Sequence, residues 1–227
     1  MREVLDQILL SKDVLNGFHS NYENGEFGAW IHEILPEIEE CARLKQDNPW
    51  HIYNCLDHIL HSVQEINKES QGMKENERRM LAYVMFLHDI GKPACHIRRY
   101  SKLYKREVDS FFDHNKKSEE IAKRVLPKLS FDGDECEIMS LLILEHDIFM
   151  FITLEEDGNP YHKVLSNKLI NEKIAEYNKV GNGRQILEYL VKVGRADNKA
   201  QNPKMTKNSL LLLDKFDSML ENQNENV

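Results

Sequence analysis

Six side chains spread along this 227-residue sequence have the right types to hold divalent cations together: His51, His88, Asp89, His114, His146 and Asp197. Imidazole nitrogen and carboxylate oxygen suit divalent transition metals, and a carboxylate such as Asp89 can bridge two ions about 3.5 to 4 Å apart. Four histidines and two aspartates suffice for two ions with positions left open for water. The most informative stretch is Leu81-Ala82-Tyr83-Val84-Met85-Phe86-Leu87-His88-Asp89-Ile90-Gly91-Lys92-Pro93. An unbroken apolar run implies a helix buried on nearly all sides, and Gly91 with Pro93 ends it just past the His-Asp pair. A carboxylate at the negative end of a buried helix is disfavoured by desolvation and by the dipole, so a positive partner is required. Taken alone, a salt bridge from Asp89 to Lys92 beside a core histidine would answer. Repetition argues for more. The apolar run Met139 to Leu144 leads into His146-Asp147, and Ile186 to Val193 leads into Ala196-Asp197. His51 follows Pro49-Trp50 in the first turn of its helix, and His114 follows Phe111-Phe112 at the start of another.

The elements that must position these groups are helices. Apolar residues recur at three- and four-residue spacing, as in Val4, Leu5, Ile8 and Leu9, while the alternation of strands is nearly absent. The spacing predicts helices at 2–16, 28–45, 50–69, 75–90, 114–129, 133–147, 163–178, 183–199 and 207–221, an all-α fold. Segment 91–113 reads as the longest irregular stretch and the most basic, 155–158 as an acidic loop, and the Asn/Glu-rich tail after Leu220 as frayed. No break reads as a linker between separate units.

The ordered set, together with Asp89-Ile90-Gly91-Lys92-Pro93 and Ala196-Asp197-Asn198-Lys199-Ala200-Gln201, resembles the HD-domain superfamily of metal-dependent phosphohydrolases. The wording is similar to that of the HD domains of bacterial tRNA nucleotidyltransferases, over roughly residues 49–202. The resemblance implies a single HD-type helical domain of about nine helices around a metal centre. It has an N-terminal helical extension over 1–48, a core over 49–202, and a C-terminal helix and tail over 203–227. It further implies that His51, His88, Asp89 and Asp197 hold one ion, and that His114 and His146 add a second through Asp89. The ions would be Mn, Fe, Co, Ni, Mg or Zn. Asp89 and Lys92 take the catalytic roles, with Lys92 neutralising charge on phosphoryl oxygens. No strand-rich nucleotidyltransferase head precedes the HD region, so the expectation is a freestanding hydrolase cleaving a phosphoester or phosphoanhydride of a nucleotide or other small phosphorylated substrate. The alternative is a metal-containing module that senses a nucleotide without turnover.

Arg98, Arg99, Lys102 and Arg106 are candidates for gripping that substrate, since guanidinium forks suit phosphate oxygens. Their alternative is a solvated basic loop. Glu145 and Asp147 flank His146 and could orient it or could be surface charge. His58 and His61 share a helix with His51 and are expected outside the ligand set or on the surface. His19, His32, His96 and His162 have no partner at ligand spacing. Trp30, Trp50, Phe86 and Phe112 are expected in the core.

Thirty Lys plus Arg against 38 Asp plus Glu leave a net charge of −8, which repels a long polyanion such as duplex nucleic acid. An acidic ligand must therefore meet a local positive charge. The four cysteines, Cys41, Cys55, Cys95 and Cys136, form no CxxC pair and fit free thiols in a reducing cytoplasm. No run approaches the length needed to span a bilayer.

Overall fold

In the computed structural model, which describes residues 1–23 and 25–224, the apolar periodicity resolves into eleven α-helices among the described residues. They are α1 (Arg2–Leu9), α2 (Val14–Tyr22), α3 (Gly25–Ile34), α4 (Glu37–Arg43), α5 (Cys55–Glu69), α6 (Glu75–Leu87), α7 (His114–Val125), α8 (Gly133–Leu144), α9 (Asn167–Tyr177), α10 (Gly183–Lys199) and α11 (Pro203–Asn224). Only two small sheets accompany them: β1 (Ile97–Ser101) with β2 (Arg106–Ser110), antiparallel, and β3 (Ile152–Thr153) with β4 (Lys163–Val164), parallel. The fold is all-α.

Local chemistry explains where the boundaries differ from the spacing. The expected helix 2–16 is two helices, because Asp13 caps α2 by accepting from the Asn16 N–H. The expected 28–45 divides at Leu35-Pro36, since proline cannot donate to the preceding turn. Helix α5 begins at Cys55 rather than residue 50, because the Asn54 side chain caps it by accepting from the Asp57 N–H at 2.8 Å. Segment 91–113 is not irregular throughout. It contains the β1–β2 hairpin, paired from Ile97 with Ser110 to Ser101 with Arg106. That strand signal was hidden because β1 is largely exposed and carries no apolar alternation. The C-terminal helix runs to Asn224, past the expected end at 221; of the tail expected to fray, residues 225–227 lie outside the described residues.

Helices α5, α6 and α10 form the middle of the bundle. Buried side chains from Leu5 in α1 to Leu220 in α11 join one continuous apolar cluster. Each fully buried Leu, Ile or Phe there contributes roughly 1.5–3 kcal/mol relative to exposure. Polar ties fix the outer helices. Asp6 of α1 accepts from Tyr83 Oη at 2.6 Å and from Arg79 Nε at 3.1 Å, both on α6. Arg195 of α10 pairs with Glu69 of α5 and with Asp214 and Asp217 of α11. No helix among the described residues is long and apolar enough to cross a membrane.

Candidate metal centre

Five helix ends converge on one buried polar centre. His88 caps the C-terminus of α6 and Asp89 follows it; His58 lies one turn into α5; Asp197 stands in the last turn of α10. His114 opens α7, and His146 follows the end of α8. Close packing of α6 against α7 makes this possible. A Cβ on Gly91 would lie 2.6 Å from the Ser118 nitrogen and 2.7 Å from the His114 carbonyl oxygen, so only glycine lets the two chains approach this closely. The Gly91 N–H donates to Ser118 Oγ at 2.9 Å, fixing the approach.

The ligand-capable atoms fall into two groups that share Asp89: His58, His88, Asp89 and Asp197, and Asp89, His114 and His146. In the first, His58 Nε2 is 3.1 Å from Asp89 Oδ2 and 3.0 Å from Asp197 Oδ1, while His88 Nε2 is 3.3 and 3.5 Å from the same two oxygens. In the second, His114 Nε2 is 3.1 Å and His146 Nε2 3.8 Å from Asp89 Oδ1, and the two Nε2 atoms are 3.2 Å apart. Asp89 thus turns one oxygen to each group, as a bridging carboxylate would.

Two observations test whether these residues fit cations. His58 Nε2, His88 Nε2 and Asp197 Oδ1 are buried and make no hydrogen bond despite lying so close together, and Asp89 Oδ2 beside them meets the Lys92 ammonium at 2.5 Å. Buried polar atoms rarely stay without a hydrogen-bond partner, and three clustered around one carboxylate oxygen match a cation cage. Second, the outer ring nitrogens are committed. Nδ1 of His88 donates to the Met85 carbonyl at 2.7 Å, that of His146 to Ile143 at 2.7 Å, that of His114 to Phe111 at 2.8 Å and that of His58 to Ala200 at 3.4 Å. A carbonyl only accepts, so each Nδ1 carries a proton and each ring points its Nε2 inward, as a ligating histidine does. The donor set fits divalent metals, and these buried His and Asp groups could hold them.

The electrostatics agree. Burial opposes charge on Asp89, yet the His88 and Lys92 charges and the contacts from His114 and His58 hold its carboxyl well below the usual range. Asp197 is lowered in the same way, against burial, by His58 and His88. Burial would discharge His88, but Asp89 and Asp197 hold it up to about 10. His114 is likewise raised, against burial, by Asp89, while His146 is lowered, chiefly by burial. With no cation present, a proton on His88 offsets part of the carboxylate charge. The centre demands positive charge from some source.

His58 and His51 exchange the places expected of them. His51 sits in the loop before α5, and neither group of converging atoms contains it. Its Nδ1 donates to Asn48 Oδ1 at 2.9 Å, and its Nε2 accepts from Lys92 Nζ at 3.0 Å. Burial, reinforced by the Lys92 charge, depresses its pKa well below the ordinary value and keeps it neutral. His58, expected outside the ligand set or on the surface, is buried among the converging atoms. The physical reason is the Asn54 cap, which starts α5 late and gives its first turn to His58. An Asn three residues before Asp57 was the available signal.

Lys92 is buried and spends its donors on Asp89 Oδ2 at 2.5 Å, Gln46 Oε1 at 3.0 Å and His51. Arg98 pairs with Asp47, Glu107 and Asp109, and Arg106 with Asp47. Arg99 makes no ion pair among the described residues. It donates to Ser110 Oγ at 2.9 Å and lies 4.6 Å above the Phe112 ring, two residues from His114. Glu145 turns away from the centre to Tyr177 and Lys173, whereas Asp147 faces His114 and His146. His61 stacks on Tyr53, outside both groups. Of the aromatics expected in the core, Phe86 is buried and Trp30 packs against the core, but Trp50 and Phe112 are exposed. Both stand beside a histidine of this region. The centre is most open at His114 and Asp147, whose side chains are 13% and 24% exposed, against 1% for His58.

No protein-family model matches the chain. Distant relatives are similar to it. A bifunctional uridylyltransferase/uridylyl-removing enzyme of Cereibacter sphaeroides is 24% identical over 173 residues, 70% of this chain and 16% of that protein. An enzyme of the same description from Gluconobacter oxydans is 24% identical over 129 residues, 51% of this chain and 12% of that protein. The matched region therefore spans less than a sixth to an eighth of the relatives' length, and it joins an all-α domain with a buried His/Asp centre to proteins named for adding and removing a uridylyl group.

Proposed function

We propose that the chain is a metal-dependent phosphohydrolase that cleaves a phosphoester or phosphoanhydride bond of a nucleotide or other small phosphorylated substrate. The observation that carries this reading is the pair of buried ligand groups sharing Asp89, with three inward atoms left without hydrogen bonds. The relatives' description supports it, since a uridylyl group is a nucleoside phosphate and removing it breaks a bond to phosphorus. Divalent cations held in such a centre acidify water and polarise a phosphoryl oxygen.

The chain's own residues supply orientation. The backbone carbonyls of Met85, Phe111 and Ile143 lock three imidazoles with Nε2 inward. Lys92, held by Gln46 and His51, pins Asp89 Oδ2 and adds a positive charge beside the reacting group. Substrate approaches from the His114–Asp147 side, where Arg99 on the β1–β2 hairpin offers a guanidinium not already paired with a carboxylate.

The test is a panel of nucleotides, cyclic phosphodiesters and dinucleoside polyphosphates, offered to chelator-stripped protein with Mn²⁺, Co²⁺, Ni²⁺ or Mg²⁺ restored. Metal-dependent turnover that disappears in Asp89→Ala is expected. No product across the panel would end the reading. One observation favours the alternative of nucleotide sensing without turnover: Lys92 has its donors committed within the protein. Tight nucleotide binding without product over hours would select it.

A further inference from the structure

Asp147 occupies the N-cap position of a short 3-10 turn, Ile148–Phe151, where an aspartate ordinarily accepts a backbone N–H. Here the side chain makes no capping bond. Its carboxylate instead straddles the two imidazoles of the second group, with Oδ2 3.3 Å from His114 Nε2 and Oδ1 3.6 Å from His146 Nε2. Among the described residues its carboxylate makes no other ion pair. The second group also has one ligand fewer than the first, three against four, and one of its three is the shared Asp89.

We propose that Asp147 is a ligand of the second cation, completing with Asp89, His114 and His146 a set of two nitrogens and two carboxylates. This rests on reading the centre as a two-cation site, not on the reaction assigned to it. The position has a chemical consequence. Asp147 lies at the solvent side of the centre, so its carboxylate shares the open face of the second cation with water or substrate. Three carboxylates against two divalent cations leave one net positive charge, enough to attract a phosphate oxygen while holding the outer cation against loss to solvent.

The experiment is a Mn²⁺ titration of chelator-stripped full-length protein, followed by electron paramagnetic resonance, for the wild type, Asp147→Ala and Asp147→Asn. The wild type should take two ions whose spins couple. In both variants the weaker ion's affinity should fall by at least the roughly 10–100-fold that loss of an outer-sphere partner costs, with the coupled signal gone and the tighter ion retained. Because the carboxylate caps nothing, both variants should keep the wild-type circular dichroism. Two ions bound as in the wild type, or both ions lost in parallel, would overturn the assignment, as would a wild type that takes fewer than two. Turnover is not the readout, so failure to find a phosphorylated substrate leaves this result intact.

Discussion

Replacing His58 and His51 in parallel by alanine separates ligand from neighbour. Saturating cation at 100 to 1,000 times its dissociation constant stabilises a folded protein by about 2.7–4.1 kcal/mol. For a chain of this size each kcal/mol moves Tm by about 2–4 °C, so the wild type should gain roughly 5–16 °C on loading. His58 Nε2 lies 3.0 and 3.1 Å from the two carboxylates of a four-residue group. Its loss should weaken that ion by about 100-fold or more. At the same cation concentration the stabilisation then falls to about 0.4–1.4 kcal/mol or less, and the gain in Tm to a few degrees. His51→Ala should keep the wild-type gain, since His51 Nε2 is taken up by Lys92 Nζ. Removing one partner of a buried charge cluster also lowers the metal-free stability of His58→Ala, by about 3–5 kcal/mol. The comparison is therefore the metal-induced shift within each variant, read by thermal unfolding with and without chelator. A His51→Ala protein that loses the shift as fully as His58→Ala would refute the reasoning and return His51 to the ligand set.

Four further outcomes are expected. His88 is raised to about 10 in the metal-free protein, so its contribution to folding is fully present below about 6.5 and is lost as pH rises towards 10. Loading replaces that proton, so the metal-induced gain in Tm should grow across this window, and calorimetry in buffers of different ionisation enthalpy should detect about one proton released near neutrality; a pH-independent gain would contradict it. Gly91→Ala should cost about 1–3 kcal/mol in urea unfolding by forcing α7 away from α6, and should weaken the His114 side of the centre. Arg99→Ala should raise KM roughly tenfold with little change in kcat, whereas Arg98→Ala, whose guanidinium is already paired with Asp47, Glu107 and Asp109, should leave KM nearly unchanged. Asp6→Ala should lower stability by about 1–3 kcal/mol, because the Tyr83 hydroxyl loses its acceptor.

The helical class was legible in the apolar spacing, and four of the converging residues were legible for one further reason. Burying an uninterrupted apolar run such as Leu81–Leu87 makes a polar pair at its end costly, and that cost shows in one dimension as His88-Asp89, His146-Asp147 and Ala196-Asp197. The choice between His51 and His58 was not legible. The two are seven residues apart, nearly two turns, and periodicity places them on nearly the same face; only the Asn54 cap, a bond between a side chain and a backbone N–H, decides which of them the helix carries inward. Lys92 could be seen to stand near Asp89 but not to be clamped by Gln46, 46 residues earlier. The hairpin arginines read alike until Asp47 took two of them and left Arg99 unpaired. Residue types and local spacing are properties of the chain. Which polar partners meet is settled by contacts between distant segments, and those exist only once the core has closed.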